Sequence, residues 1–207
     1  MNILGIDEAG RGPVIGPLVV GGIVIPEEKT AILERMGIKD SKRLSPTRRK
    51  VLSRKLESAF EYYFVEITAQ DIDNLRAKGV NLNEIEKIAI MKIIDTLDAD
   101  CIIIDSLDVK PERLEEEVKE LYPDKKVIAE HKADDNYLQV SAASIIAKYH
   151  RDATIEKIKK EYRKIGDIGS GYPSDPKTKK FLENYSYDEM PEIVRKSWRT
   201  VQNFKKL

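Results

Sequence analysis

Residues 2–25 read NILGIDEAGRGPVIGPLVVGGIVI, two apolar runs separated by a glycine- and proline-rich break. The first run, Asn2 to Asp7, has the length of a strand and closes on two acids, Asp7 and Glu8. The break Ala9-Gly10-Arg11-Gly12-Pro13 interrupts any regular element, because glycine loosens the backbone and proline removes an N–H donor. The second run, Ile15 to Ile25, is rich in Val, Ile and Gly and reads as a strand with a hairpin partner.

Beyond it, Ser45 and Pro46 start a helix that runs to about Ala59: serine caps the first turn and proline fits its opening position. Glu61 to Thr68 alternates polar and apolar residues, the period of a third strand. Asn81 then caps a helix through Leu97, with Ile85, Ile88, Ala89 and Ile93 on one expected face. Cys101 to Ile104 is wholly apolar, the mark of a strand buried on both faces. An acidic helix over Pro111 to Leu121, a short strand over Lys126 to Glu130 and a long helix from Val140 to about Lys164 complete the pattern. Strands at the start followed by alternating helix and strand predict an α/β layer fold with a mixed sheet. The predicted organisation is a core over 1–165 and a small C-terminal helical extension over 166–207, which opens on the loop GDIGSGYPSDP.

The chain has 207 residues, 41% hydrophobic and 35% charged, enough for one substantial core. A single cysteine, Cys101, excludes an internal disulfide framework and a cysteine-rich zinc site. No apolar run reaches the roughly 20 residues that span a bilayer, and the opening lacks the plan of a signal peptide, so the cytoplasm is the expected compartment. Net charge is +0 but segregated. Residues 39–55 hold eight Lys/Arg against one acid, and 141–207 hold fifteen against nine, while 56–140 are strongly acidic. Basic segments of this kind suit phosphate contacts; on charge alone, solvated helix faces explain them equally well.

Four acids stand out by position. Asp7 and Glu8 close the first strand, Asp105 closes CIII, and Asp134 lies between a strand and a helix. Ligands of open α/β sheets bind at strand ends, and carboxylates gathered there repel unless a cation holds them. Hard divalent ions such as magnesium and manganese prefer oxygen ligands. Position alone leaves Asp108 as a rival to Asp105 and Asp135 to Asp134, and a lone Asp at a strand end is more often a turn former. Neighbouring strand residues point to opposite faces, so Asp7 and Glu8 share one site only where the strand ends or bulges. His131 and His150 lack the spacing of a zinc pair.

The string GIDEAGRGPVIGPLVV (5–20) resembles the opening motif of ribonuclease HII. The resemblance continues at KDSKRLS (39–45), IIIDSLD (102–108), HKADDNYLQVSAASIIAKYHRD (131–152), GSGYPSDPKTKKFL (169–182) and RKSW (195–198), in the family's order over nearly the whole chain. It implies a ribonuclease H-like fold, with a five-stranded mixed sheet flanked by helices and a C-terminal helical extension completing the substrate cleft. It implies metal-binding, catalytic acids at Asp7, Glu8, Asp105 and Asp134, choosing between the rivals, and two Mg2+ or Mn2+ ions during catalysis. By the same resemblance Gly10, Arg11 and Gly12 detect the ribose 2′-hydroxyl, and Tyr172 stacks on the following deoxyribose. Lys42, Ser141, Ser144 and Lys148 are the phosphate-contact candidates, with simple packing the alternative for the helix residues.

The implied activity is an endoribonuclease that cuts the RNA strand of RNA–DNA hybrids and acts 5′ of ribonucleotides embedded in duplex DNA. The implied partners are those nucleic acids, for a monomer without a membrane; a sliding clamp stays open as a further partner, with no obvious clamp-binding peptide in the FKKL tail. Two other classes remain open on residues alone. An actin-like phosphotransferase would need two large lobes and nucleotide loops, and a non-catalytic hybrid-binding module would bind without magnesium and yield no product.

Overall fold

The computed structural model describes residues 1–206, the side chains of Asp40 and Lys206 apart; Leu207, the end of the FKKL tail, lies outside the described residues. Five strands form one sheet: β1 (Asn2–Ala9), β2 (Leu18–Pro26), β3 (Glu61–Ile67), β4 (Cys101–Asp105) and β5 (Lys126–Glu130), in the order β3-β2-β1-β4-β5. β1 runs antiparallel to β2 from Asn2↔Pro26 to Ala9↔Val19, and parallel to β4 from Ile3↔Cys101 to Ile6↔Ile104. β4 and β5 pair in parallel. The mixed α/β sheet predicted from the apolar runs is therefore observed.

The helices are α1 (Thr30–Arg35), α2 (Pro46–Ala59), α3 (Ala69–Ala77), α4 (Leu82–Thr96), α5 (Pro111–Leu121), α6 (Ala133–Asn136), α7 (Leu138–Tyr162), α8 (Pro176–Leu182) and α9 (Arg199–Gln202). Ser45 caps α2 by accepting from the Arg48 amide, and the Asn81 side chain accepts from Glu84 at the start of α4. Two helices differ from expectation. α3 lies outside the predicted elements and opens on a Thr68/Asp71 capping box. On α4, Ile88 is 55% exposed while Ile85, Ala89 and Ile93 are buried, so the apolar stripe is narrower than predicted.

The chain divides into two compact units. The first comprises Met1–Ala9, Val19–Val65 and Glu86–His150. Its sheet is covered on both faces, and glycines mark where the cover is closest. A Cβ on Gly5 would stand 2.3 Å from the Gln139 main chain, and one on Gly21 3.0 Å from the Ala143 carbonyl, both on α7. A Cβ on Gly22, which faces the other way, would meet Ile93 of α4 at 2.4 Å. Buried Ala142, Ala143 and Ala147 give α7 the slim face this approach needs. Ile23, Ile25, Leu33, Leu52, Leu56, Ile145 and Ile146 fill the core there.

The second unit comprises Gly10–Leu18, Glu66–Ile85 and Arg151–Leu207. Val14, Ile15, Ile155, Ile158, Phe181, Leu182 and Val194 form its core. The C-terminal segment 166–207 thus belongs with the residues that follow β1 and with α3, and an isolated bridge ties Ile15 to Val194.

Candidate active site

The first unit gathers acids at the ends of its central strands. Asp7 lies one residue past the β1–β4 ladder, Asp105 is the last residue of β4, and Asp134 sits in α6, whose preceding residue Lys132 takes a left-handed φ of 56°. One carboxylate oxygen from each of Asp7, Asp105 and Asp134 lies within 4.8 Å of the other two. Burial pushes the Asp7 carboxyl well above its ordinary range, helped by the charges of Asp105 and Glu8. Burial, and then the charge of Asp134, push Asp105 up to about 6. Backbone amides of Lys132 and Asp134 hydrogen-bond to Asp105 and oppose part of that rise.

The rivals separate cleanly. Asp108 closes a turn, its Oδ1 accepting from the Lys110 amide, and stands apart from the cluster. Asp135 has a half-exposed side chain and binds Lys42 Nζ at 2.6 Å, while the same Nζ stands 3.2 Å from Asp134. Glu8 is outside the group of three. β1 pairs with β2 without interruption through Ala9, so the break that would turn Asp7 and Glu8 to one side is missing from that ladder. The Glu8 amide instead donates to Asp7 Oδ1 at 2.7 Å.

Ser141 and Ser144 are each 1% exposed and belong to the support of the acids. The Ser141 hydroxyl donates to the Asp134 carbonyl. The Ser144 hydroxyl lies beside Asp7 and favours its charged form, yet falls short of full hydrogen-bond geometry and has no other partner. Lys148 is half-buried further along α7. Taken together, the cluster offers three hard oxygen donors and an unsatisfied buried hydroxyl, with the half-exposed Lys42 ammonium 3.2 Å from Asp134. That donor set fits a divalent ion of the magnesium or manganese type.

The second unit holds the glycine turn. Gly10 has a φ of +86°, and a Cβ there would collide with the Arg151 side chain and the Pro17 carbonyl. A Cβ on Gly12 would meet the ring of half-exposed Tyr172 at 3.1 Å, so the structure brings these two residues together. Beneath the turn lies Arg195, fully buried. It donates to the carbonyls of Gly10, Arg11 and Gly16 and packs 4.7 Å from the Trp198 ring. Arg151 donates to the carbonyls of Ile15 and Pro17. Burial, then the charge of Arg151, hold Arg195 down to about 9. Arg11 Nη2 donates to Asn83 Oδ1 at 2.7 Å, and Trp198 Nε1 donates to the Gly12 carbonyl at 3.1 Å.

No local sequence signal marks Arg151, Arg195 or Trp198. All three lie in quoted motif blocks, but nothing in HRD or RKSW states that a guanidinium will satisfy main-chain carbonyls far away in sequence. The remaining candidates are structural. His150 binds Glu57 at 2.8 Å and stacks on Phe64, His131 meets the Ser106 carbonyl, and Cys101 is a buried core residue.

A mixed five-stranded sheet carrying clustered carboxylates at its strand ends defines a metal-dependent nuclease of the ribonuclease H-like class. The model of the family described as Ribonuclease HII matches residues 4–201. The Ribonuclease HII of Methanobrevibacter smithii is 60% identical over 205 residues, covering 99% of both chains. Among solved structures, the ribonuclease H2 of Pyrococcus horikoshii OT3 superposes with a TM-score of 0.91 at 44% identity, covering 100% of this chain and 98% of that one. The PCNA:RNase HII complex of Archaeoglobus fulgidus gives a TM-score of 0.87 at 40% identity over 96% of each chain. The chain belongs to the ribonuclease HII family. It is accordingly a metal-dependent ribonuclease, a hydrolase that cleaves RNA paired with DNA. Among the described residues, no helix is long and apolar enough to cross a membrane.

Proposed function

We propose that the chain, besides cutting the RNA strand of hybrids, cleaves 5′ of single ribonucleotides embedded in duplex DNA, leaving 3′-hydroxyl and 5′-phosphate ends. The observation that carries this reading is the convergence of Asp7, Asp105 and Asp134. These acids, with Glu8 assigned by family resemblance, would hold two Mg2+ or Mn2+ ions. Those ions would supply the charge that eases deprotonation of the attacking water and departure of the 3′-oxygen.

The protein's own groups do the rest. Asp7 keeps its carboxylate at a fixed, dry place beside Ser144, and Ser141 anchors Asp134 through its carbonyl. Lys42 and Lys148 are assigned to phosphates; Lys42 Nζ is already held at the edge of the acids. In the turn, glycine lets main-chain groups of Gly10, Arg11 and Gly12 approach a ribose, whose 2′-hydroxyl separates RNA from DNA. Tyr172, fixed against Gly12, is assigned to the neighbouring deoxyribose. Base sequence need not be read, since backbone shape and the 2′-hydroxyl suffice. The cellular setting we infer is the cytoplasm, in replication and repair. Association with a sliding clamp is supported by the clamp complex of the Archaeoglobus fulgidus relative.

The test is cleavage of duplex DNA holding one ribonucleotide, with and without magnesium or manganese. A nick 5′ of the ribonucleotide only with metal is expected; no product with either metal sinks the proposal. Tyr172→Ala should slow that cut by about tenfold, the worth of one lost stacking contact, and an unchanged rate removes Tyr172 from the substrate.

A further inference from the structure

Asp134 and Asp135 are consecutive, yet α6 sends them different ways: the Asp134 side chain is 7% exposed and the Asp135 side chain 51%. One ammonium reaches both, with Lys42 Nζ 3.2 Å from Asp134 Oδ1 and 2.6 Å from Asp135 Oδ1. We propose that Asp135 is a positioning residue, which holds the Lys42 ammonium beside Asp134 and so keeps Asp134 open to a divalent ion; this rests on the reading that the acid cluster takes such an ion.

Main chain fixes both ends of this contact. Lys42 lies in the 3-10 turn Ile38–Arg43, whose Ile38 and Ser41 are buried. Arg49 steadies the exit of that turn by donating to the Leu44 carbonyl at 2.8 Å. On the other side, the Asp135 amide donates to the Lys132 carbonyl at 3.0 Å and the Tyr137 amide to the Ala133 carbonyl at 2.8 Å. The Ser141 hydroxyl holds the Asp134 carbonyl as well. The long Lys42 side chain is the adjustable part, and two neighbouring carboxylates compete for its end.

Asp135 wins that competition. Its bond is the shorter one, and a charge-assisted bond strengthens as it shortens. The bond to Asp135, ahead of the one to Asp134, pushes the Lys42 ammonium above its ordinary pKa, and the same bond holds the Asp135 carboxyl below its own. Without Asp135 the balance reverses. Asp134 is the less exposed carboxylate, and attraction to an ammonium is stronger where water is scarcer. Lys42 would then close on Asp134 and compete with a divalent ion for its oxygens. With Asp135 in place, an ion at Asp134 pushes the ammonium outward onto a carboxylate that already holds it.

The experiment is a double-mutant cycle read by calorimetric titration of manganese, without nucleic acid and at physiological salt. Asp135→Asn should weaken manganese binding about tenfold, the low end of what loss of a partner around a metal ligand costs. Lys42→Met should bind manganese at least as tightly as wild type, because the competing ammonium is gone. In that background, Asp135→Asn should change the affinity by less than about twofold, since the charge of an exposed carboxylate is screened. Asp135→Glu should restore most of the affinity, as a carboxylate returns to the same edge. On an RNA–DNA hybrid, Asp135→Asn should cut slowly at limiting manganese and come back to within about twofold of the wild-type kcat at saturating manganese.

Equal losses from Asp135→Asn in both backgrounds would show a carboxylate acting on the ion directly, and overturn the role through Lys42. Weaker binding in Lys42→Met overturns it too, since the ammonium would then aid the ion. A rate that stays low at saturating manganese overturns it in favour of a distorted α6. Should wild type take up no manganese at all, the metal reading falls and this proposal with it, whereas uptake by wild type with an additive cycle removes the proposal alone.

Discussion

The acid cluster of the first unit and the glycine turn of the second treat buried charge in opposite ways. At the turn, Arg195 is a buried cation and Arg151 a half-buried one, and five main-chain carbonyls from Gly10 to Pro17 receive them. Nothing further is needed to complete that arrangement. At the cluster, Asp7, Asp105 and Asp134 face one another with raised pKa values on two of the three, a half-exposed lysine, and a serine hydroxyl left unsatisfied. Repulsion there is an opening for a cation. The difference teaches that a buried charge with a full set of partners holds shape, whereas one without them is held ready for a ligand.

The largest test of the contrast is Asp7→Asn. It should lower hybrid cleavage by on the order of a thousandfold or more, since a ligand oxygen and its charge leave the centre. In chelator, the variant should melt at a higher temperature than wild type, because a buried repulsive charge has gone. Added manganese should raise the melting temperature of wild type and barely move the variant. Near-normal cleavage in Asp7→Asn would break the metal assignment, and a lower melting temperature in chelator would break the account of stored repulsion.

Arg195→Met puts the same question to the other region, with the opposite expectation. Three carbonyls lose their donors, so stability should fall by about 3 kcal/mol or more, read by denaturant unfolding. The manganese response should survive, since the acids are untouched. Cleavage at a single embedded ribonucleotide should drop more than cleavage of a continuous hybrid, because the turn assigned to the 2′-hydroxyl has lost its support. Equal losses on both substrates would make Arg195 a purely structural residue.

Much of this contrast was legible in the letters, but unevenly. The strand ends were readable because apolar runs stop where acids begin: CIIID gives β4 and its carboxylate in five letters. The helix caps at Ser45 and Asn81 were readable because capping is local. Choosing Asp134 over Asp135 was beyond position alone, because the choice depends on which residue the four-residue helix α6 turns inward. The Arg195 bonds to Gly10 and Arg11 span more than 180 positions and leave no local periodicity to detect. Ile88 misled because helical spacing fixes a face, and only the packed neighbours fix how wide that face is.

The smallest expected effect comes from pH, and it separates the two regions without a mutation. The Asp105 carboxyl titrates at about 6 in the folded protein, above its ordinary value of 3.8, because burial and Asp134 disfavour its charge. Below the ordinary value the group is protonated whether the chain is folded or not, and it imposes no penalty. As pH rises towards 6 the folded state resists ionisation, so metal-free protein loses stability across that window and the loss then stays constant. A divalent cation competes for the same oxygen, so its affinity should fall by about tenfold between pH 7 and pH 5. Arg195, held at about 9, stays charged over the whole of that range, and the turn it supports should not respond. Manganese titrations by calorimetry at both pH values, with melting temperatures in chelator alongside, read both halves of the expectation. An affinity that is flat from pH 5 to 7 would mean that Asp105 is not a ligand, whatever its place at the end of β4.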